Sequence, residues 1–385
     1  MRVVLSTISK FHTFDLARQL ERRGVLERLF TGRPRWKLRG ETLPLHKVKT
    51  FPYLQTIFEA MGRAGIERYP FRTELNWFCH QTLDGYVARL LPDCEVFHAL
   101  SYCGLRSGVE ARRRGARWVC DVVNSHPVFQ DEILAEEYRR VGLSRRREDS
   151  RFLDYAAASY EQADMITVLS TFAQSTFLAK GVPAGKLAVI PYGVDLTRFH
   201  PVDTPQDRTF RVLFVGQLSV RKGVHDLIDA FRMAALPGSR LVLVGSVLRE
   251  SETLLRRAHG LAVDVLGPRS KQELSHYYSQ ADVMVLPSIE DGFGSVIGEA
   301  LACGSPVIAT THTGGADFFT DGVEGFIVPV RSPEAIAAKL VWLYEHRGER
   351  EAMRKAALER VRKIGGWDEY GARIVSLFRR LSDAA

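Results

Sequence analysis

A chain of 385 residues is longer than one hydrophobic core usually organises, so two domains of ordinary size are expected. With 45% hydrophobic and 25% charged residues, and no apolar run near the roughly 18 to 20 residues that span a bilayer, the chain reads as globular rather than membrane-integral or disordered. Its formal net charge of +8 is concentrated at the start, where residues 1–72 carry 15 Lys and Arg against 6 Asp and Glu; no helix-turn-helix, zinc-finger or aromatic RNP pattern accompanies that surplus, so no nucleic-acid partner is expected.

In chain order, MRVVLSTISK reads as a short buried strand that reaches Lys10 too soon for a signal peptide, which makes a cytoplasmic location the expectation. The amphipathic stretch FDLARQLERRG follows, with Leu16 and Leu20 on its apolar face and Gly24 as its stop. Arg28, Arg33, Arg35, Lys37, Arg39, Lys47 and Lys49 then crowd a segment opposed only by Glu41. Charges gathered in this way form a solvated basic face, or attract an anionic membrane surface or an anionic acceptor; peripheral association with the inner face of a membrane is the functional form of that reading. Further predicted strands are 95–100, 117–123, 165–170 and 186–192, with helices between them. Residues 196–209 lack periodicity, hold two prolines and read as a linker. After it the cycle resumes with strands at 211–216, 240–246, 261–267, 283–288 and 305–311. The chain closes on a helix with Trp367, Tyr370, Ile374, Phe378 and Leu381 along one side. The five cysteines form no CxxC pair, which argues against a disulfide framework and against a zinc site.

Strands alternating with helices through both halves predict an α/β protein of two Rossmann-like domains facing across a cleft, with ligands beyond the carboxyl ends of the strands. The strongest constellation there is PSIEDGFGSVIGEALACG, Pro287 to Gly304. Its glycine-rich turn lets backbone amides at a helix start approach an anion, while Asp291 and Glu299 suit sugar hydroxyls as charge-assisted acceptors. A second is VLFVGQLSVRKG, which sets Arg221 and Lys222 on a turn after a strand. A third is NSHP, which sets His126 in a loop after strand 117–123. Taken alone, a basic turn of this kind is as a rule solvent-facing, and such a histidine more often belongs to a turn or an interface than to catalysis.

The segment D-G-F-G-S-V-I-G-E-A-L-A-C-G followed by SPVIAT resembles the donor-binding signature of the retaining glycosyltransferases of family 4. VGQLSVRKG resembles that family's VGRLxxxKG element, VIPYGVDLTRFHP its interdomain element, and VLGPRSKQEL its nucleobase loop. The resemblance implies a GT-B fold: an acceptor domain at 1–200, a donor domain at 201–365 and a C-terminal helix, 366–385, crossing back to the first domain. It implies an enzyme that moves a sugar, hexosyl-like, from a nucleoside diphosphate sugar to an acceptor hydroxyl with retention and without a cofactor; a glycan or lipid-linked acceptor is expected from the basic N-terminal half. Carried over, Lys222 neutralises the diphosphate and His126 contacts the donor sugar. Gly292 and Phe293 belong to the turn, and Gly294, Ser295 and Val296 offer amides to the diphosphate. Glu299 holds the ribose, and Gly267, Pro268 and Arg269 meet the base. Two departures stand out. Asp291 replaces the usual first glutamate, with Glu290 beside it as the alternative. Gln217 stands where many members place a phosphate-binding arginine, leaving Arg221 as a substitute. No Asp-x-Asp motif is present, so a metal-independent reaction is expected. Two rival readings are a sugar-nucleotide 2-epimerase of similar architecture and a non-catalytic scaffold of a glycan-assembly complex.

Overall fold

A computed structural model of the chain describes residues 1–66, 70–203, 207 and 209–383. Strands β1 (Val3–Thr7), β2 (Leu26–Thr31), β3 (Val48–Thr50), β4 (Val96–Leu100), β5 (Arg117–Asp121), β6 (Met165–Val168) and β7 (Leu187–Val189) form one sheet, ordered β3-β2-β1-β4-β5-β6-β7. Strands β8 (Phe210–Val215), β9 (Ser239–Val244), β10 (Val263–Val265), β11 (Val283–Leu286), β12 (Val307–Thr310) and β13 (Gly325–Val328) form a second, ordered β10-β9-β8-β11-β12-β13. Every pairing within the two sheets is parallel. In each sheet the winding direction reverses beside the first strand, between β1 and β4 and between β8 and β11. A crevice for ligands opens at such a switch point.

Helices cover both faces of each sheet, which is why β1, β4, β11 and β12 are buried at every position and read as mainly apolar runs. Strands β2, β3 and β13 are additions to the sequence expectation. Glu27 and Arg28 interrupt the apolar run of β2 at its half-buried positions, while β3 and β13 are only 3 and 4 residues long. Among the described residues no helix or strand lies between the end of β7 and the start of β8; residues 204–206 and 208 of the expected linker lie outside the described residues.

The final helix, Trp367–Asp383, packs on the helix Thr13–Arg22 beside the first sheet. Tyr370, Ile374, Leu377 and Phe378 join Val3, Leu5, Phe14 and Leu16 in one core, each large side chain contributing about 1.5 to 3 kcal/mol of burial. Tertiary contacts also neutralise part of the basic run: Arg33 and Lys37 pair with Glu59 at 2.8 and 2.5 Å, and Lys47 with Glu21 at 2.7 Å. Arg35 and Arg39 remain exposed. All five cysteines are free. Among the described residues no helix is long and apolar enough to cross a membrane.

Candidate active site

The site forms where the carboxyl end of β11 turns into the helix Ser295–Ala302. Gly294 caps that helix in the left-handed conformation, φ 72°, so its first amides face a cleft of about 750 Å³ lined by Gly294, Ser295, Val296 and Glu299. A helix start of this kind favours an anion. Asp291 anchors the turn, with Oδ1 accepting from the Gly294 amide at 3.1 Å, and its other oxygen pairs with Lys222 Nζ. Lys222 reaches that position because Gly223, φ 66°, lets the β8 turn press against β11. A Cβ at Gly223 would lie 2.0 Å from the Pro287 carbonyl oxygen. Burial alone would raise the Asp291 carboxyl; Lys222 and Arg221 outweigh it and hold the group below its ordinary value. Glu299 lies further along the helix and accepts from the Tyr278 hydroxyl at 2.9 Å. Here burial wins over Tyr278, Lys271 and Arg198, so its carboxyl is raised.

Across the cleft, the loop after β1 contributes Lys10, Phe11 and His12. His12 is buried, its Nε2 2.5 Å from Asp121 Oδ2 and its ring stacked on Tyr192 at 4.4 Å. Burial opposes ionisation of Asp121, yet His12 and His98 hold it at about 2, and Thr167 Oγ1 donates to its second oxygen at 2.7 Å. The Tyr192 hydroxyl is buried without a protein partner, and its ring lines the cleft. Arg198 and Lys271 add positive charge on the Glu299 side.

The fold thus brings together Lys222, Asp291, Phe293, Gly294, Ser295, Val296 and Glu299, and takes other expected residues elsewhere. His126 is not among the residues lining this cleft: it is the N-cap of the helix Pro127–Arg140, its Nδ1 accepting from Val128 N at 3.2 Å. Its ring turns into the core against Phe177 and Tyr160, at 4.9 and 5.6 Å. The histidine that lines the cleft is His12. Arg221 likewise does not line the cleft. Its Nε donates to Glu290 at 2.7 Å and its Nη2 to Asn124 Oδ1 at 3.0 Å, which keeps it among the domain contacts. Glu290 is fully buried and also accepts from Ser125 Oγ at 2.7 Å and Gln130 Nε2 at 2.6 Å, so of the two adjacent acids only Asp291 faces the cleft. Gln217 is exposed just past β8 and does not line the cleft. Gly267, Pro268 and Arg269 follow β10; Gly267 O accepts from Gly245 N at 2.9 Å, and Arg269 is exposed with its Nε 3.2 Å from the Tyr277 hydroxyl. Sequence reasoning missed His12, Tyr192, Arg198 and Lys271. The signal for His12 was its place in the first loop after the first strand, beside the switch point.

The two domains meet through further polar contacts. Glu137 accepts from Arg140, His225 and Arg331 at 2.8, 2.7 and 2.7 Å, and Arg140 also donates to Asp226 at 2.5 Å. Glu137, His225 and Asp226 sit close enough to share a cation, their ligand atoms within 4.8 Å of one another. The two guanidinium groups already occupy both Glu137 oxygens and Asp226 Oδ1, so the chemistry of this group is that of an ion-pair network.

Solved structures of like architecture define the class. Sucrose-phosphate synthase from Thermosynechococcus elongatus superimposes with a TM-score of 0.74 at 23% identity, covering 100% of each chain. The HepE protein of Anabaena, solved in complex with UDP, gives 0.72 at 19% identity over 99% of this chain and 100% of that one. The fold is therefore GT-B, twin α/β domains about a cleft. Two family models match most of the chain: residues 10–198 match Glycosyltransferase Family 4 and residues 197–360 match Glycosyl transferases group 1. The chain belongs to the glycosyltransferases of this family. A D-inositol 3-phosphate glycosyltransferase of Xylanimonas cellulosilytica is 32% identical over 222 residues, 51% of this chain; the match spans only about half, 52%, of that relative's own length.

Proposed function

We propose that the chain transfers a hexosyl-like unit from a nucleoside diphosphate sugar to an acceptor hydroxyl with retention of configuration, in the assembly of a cell-surface glycan, polysaccharide or glycolipid. The observation that carries this reading is the pairing of Lys222 with Asp291 at the open start of the helix that also bears Glu299. The diphosphate lies against the Ser295 and Val296 amides and draws Lys222 toward itself, freeing Asp291 to accept from a hydroxyl of the donor sugar. Glu299 accepts from the ribose. The bond from the anomeric carbon to the leaving phosphate oxygen breaks while the acceptor oxygen attacks on the same face, and the acceptor's proton passes to that phosphate. Lys222 and the helix amides stabilise the phosphate's charge, and closure of the cleft excludes water. In this reading no metal or cofactor takes part in the step.

A UDP-sugar is the first donor to test, because the HepE protein of the same fold was solved with UDP and with UDP-glucose. A donor that binds only the native state raises the melting temperature, so UDP-, GDP- and ADP-sugars are compared by thermal shift. With the donor so identified, Lys222→Ala lowers kcat by about 10² to 10³, as loss of one preorganised donor does. Wild-type turnover in that variant would exclude the phosphate role of Lys222. Conversion of the donor to its epimeric sugar nucleotide without any acceptor would favour an epimerase. Peripheral membrane binding belongs to the same reading, supported by exposed Arg35 and Arg39. Failure to co-sediment with phosphatidylglycerol vesicles would remove it.

A further inference from the structure

Beside the cleft lies a second cavity of about 360 Å³, between the ends of β1, β4 and β5 and the helices Tyr53–Arg63 and Phe71–Leu90. Phe11 and Val123 line both spaces, so the cavity opens onto the reacting cleft from the first domain's side. Among the described residues its lining holds no Lys, Arg, Asp or Glu. Phe58, Leu100, Tyr102 and Tyr160 make it largely apolar. The one imidazole, His80, is pushed down to about 4 by burial and is therefore neutral near pH 7.

Two features mark this cavity as built for a ligand. Gln55 is 7% exposed and lines it, yet its Oε1 has no hydrogen-bond partner in the protein. A buried acceptor left unmade carries a desolvation cost that a bound donor would remove. Tyr102 holds a left-handed backbone, φ 70°, while its ring packs edge-on against His80 and Phe152 at 6.2 and 5.4 Å. Strain of this kind in a non-glycine residue is retained where surrounding structure enforces it, and it concentrates at binding sites. The mouth is completed only when the domains meet, because Gln130 donates to Glu290 and Asn124 accepts from Arg221.

We propose that this cavity is the acceptor subsite and takes an uncharged hydroxylated ring, its apolar face against Phe58 and Tyr102 and one hydroxyl donating to Gln55 Oε1. The proposal rests on the glycosyl-transfer reading. A phosphorylated ring would lose its hydration here with no lining cation to replace it. The ring can be a terminal sugar of a glycan or the sugar of a small glycoside; the chemistry read by the cavity is the same.

The test uses the full chain saturated with UDP, with 4-nitrophenyl glucoside and glucose 6-phosphate as probes in saturation-transfer NMR, and a neutral oligosaccharide as a third arm to separate the two sources. The neutral glycoside is expected to bind at least about tenfold tighter than glucose 6-phosphate, and Gln55→Leu or Phe58→Ala to weaken it about tenfold with UDP affinity unchanged. Asn76→Lys, which adds a cation at a half-buried lining position, is expected to turn the preference toward glucose 6-phosphate. Equal or tighter binding of glucose 6-phosphate to the wild-type protein, or neutral-glycoside binding indifferent to all three substitutions, overturns the subsite with the donor reading intact. Absence of binding of UDP, GDP and ADP alike in the wild-type protein overturns the donor reading and this assignment with it.

Discussion

Gly292→Ala probes whether closure of the cleft is built into the turn that carries Asp291. A Cβ at this position would lie 2.4 Å from Asn124 Cα and 2.6 Å from the Val123 carbonyl oxygen, both backbone atoms of the other domain. Ordinary contact begins at 3.4 Å, so the two segments must part by about 1 Å, since close-packed backbone cannot yield locally. Gly292 is not among the residues of positive φ, so alanine introduces no strain within its own turn. The same separation stretches the bonds from Ser125 and Gln130 to Glu290, now 2.7 and 2.6 Å, past useful length. Each bond to a charged group is worth about 1.5 to 3 kcal/mol net, so losing two disfavours the closed form by about 3 kcal/mol or more, roughly 100-fold in population. Small-angle scattering is expected to show a larger radius of gyration, and kcat to fall about 100-fold, while UDP affinity is unchanged because the donor-side groups lie within one domain. Wild-type turnover with unchanged scattering would refute the reasoning.

Other perturbations separate the remaining roles. Because Glu299 is buried with its carboxyl raised, Glu299→Gln relieves a cost of burying charge: the melting temperature should rise while nucleotide affinity falls about 10- to 100-fold, as isothermal titration would read. His126→Ala should lower stability by about 1 kcal/mol or more, through loss of its helix cap, and change kcat less than threefold; His12→Ala should lower kcat at least about tenfold. At the domain interface burial would raise Glu137, but His225 and Arg140 hold it at about 2, below its ordinary 4.5. Its contribution is therefore complete above about pH 4.5 and lost as pH falls toward 2, so scattering should report acid-induced opening in that interval, and Glu137→Gln should open the protein already at neutral pH.

Much of the fold was legible because its signals are local. β1, β11 and β12 are sandwiched between helices and so appear as mainly apolar, uncharged runs, whereas β2 carries Glu27 and Arg28 at half-buried positions and escapes that pattern. The turn from Asp291 to Glu299 was legible for the same reason: strand end, glycine cap and helix start are contiguous, and they fix which groups face the cleft. What a histidine beyond a strand does is not local. Whether His126 reaches the cleft depends on Phe177 and Tyr160, which arrive on other elements and draw the ring inward, while Tyr192 and Asp121 hold His12 at the cleft wall. The sequence alone therefore determined the twin parallel sheets and the donor-side turn, through periodicity and adjacency. Only the tertiary structure assigned Glu290 and Arg221 to the domain contact and left Asp291 with Lys222 to the cleft, because the deciding partners, Ser125, Gln130 and Asn124, lie in the other domain and meet them only across the closed interface.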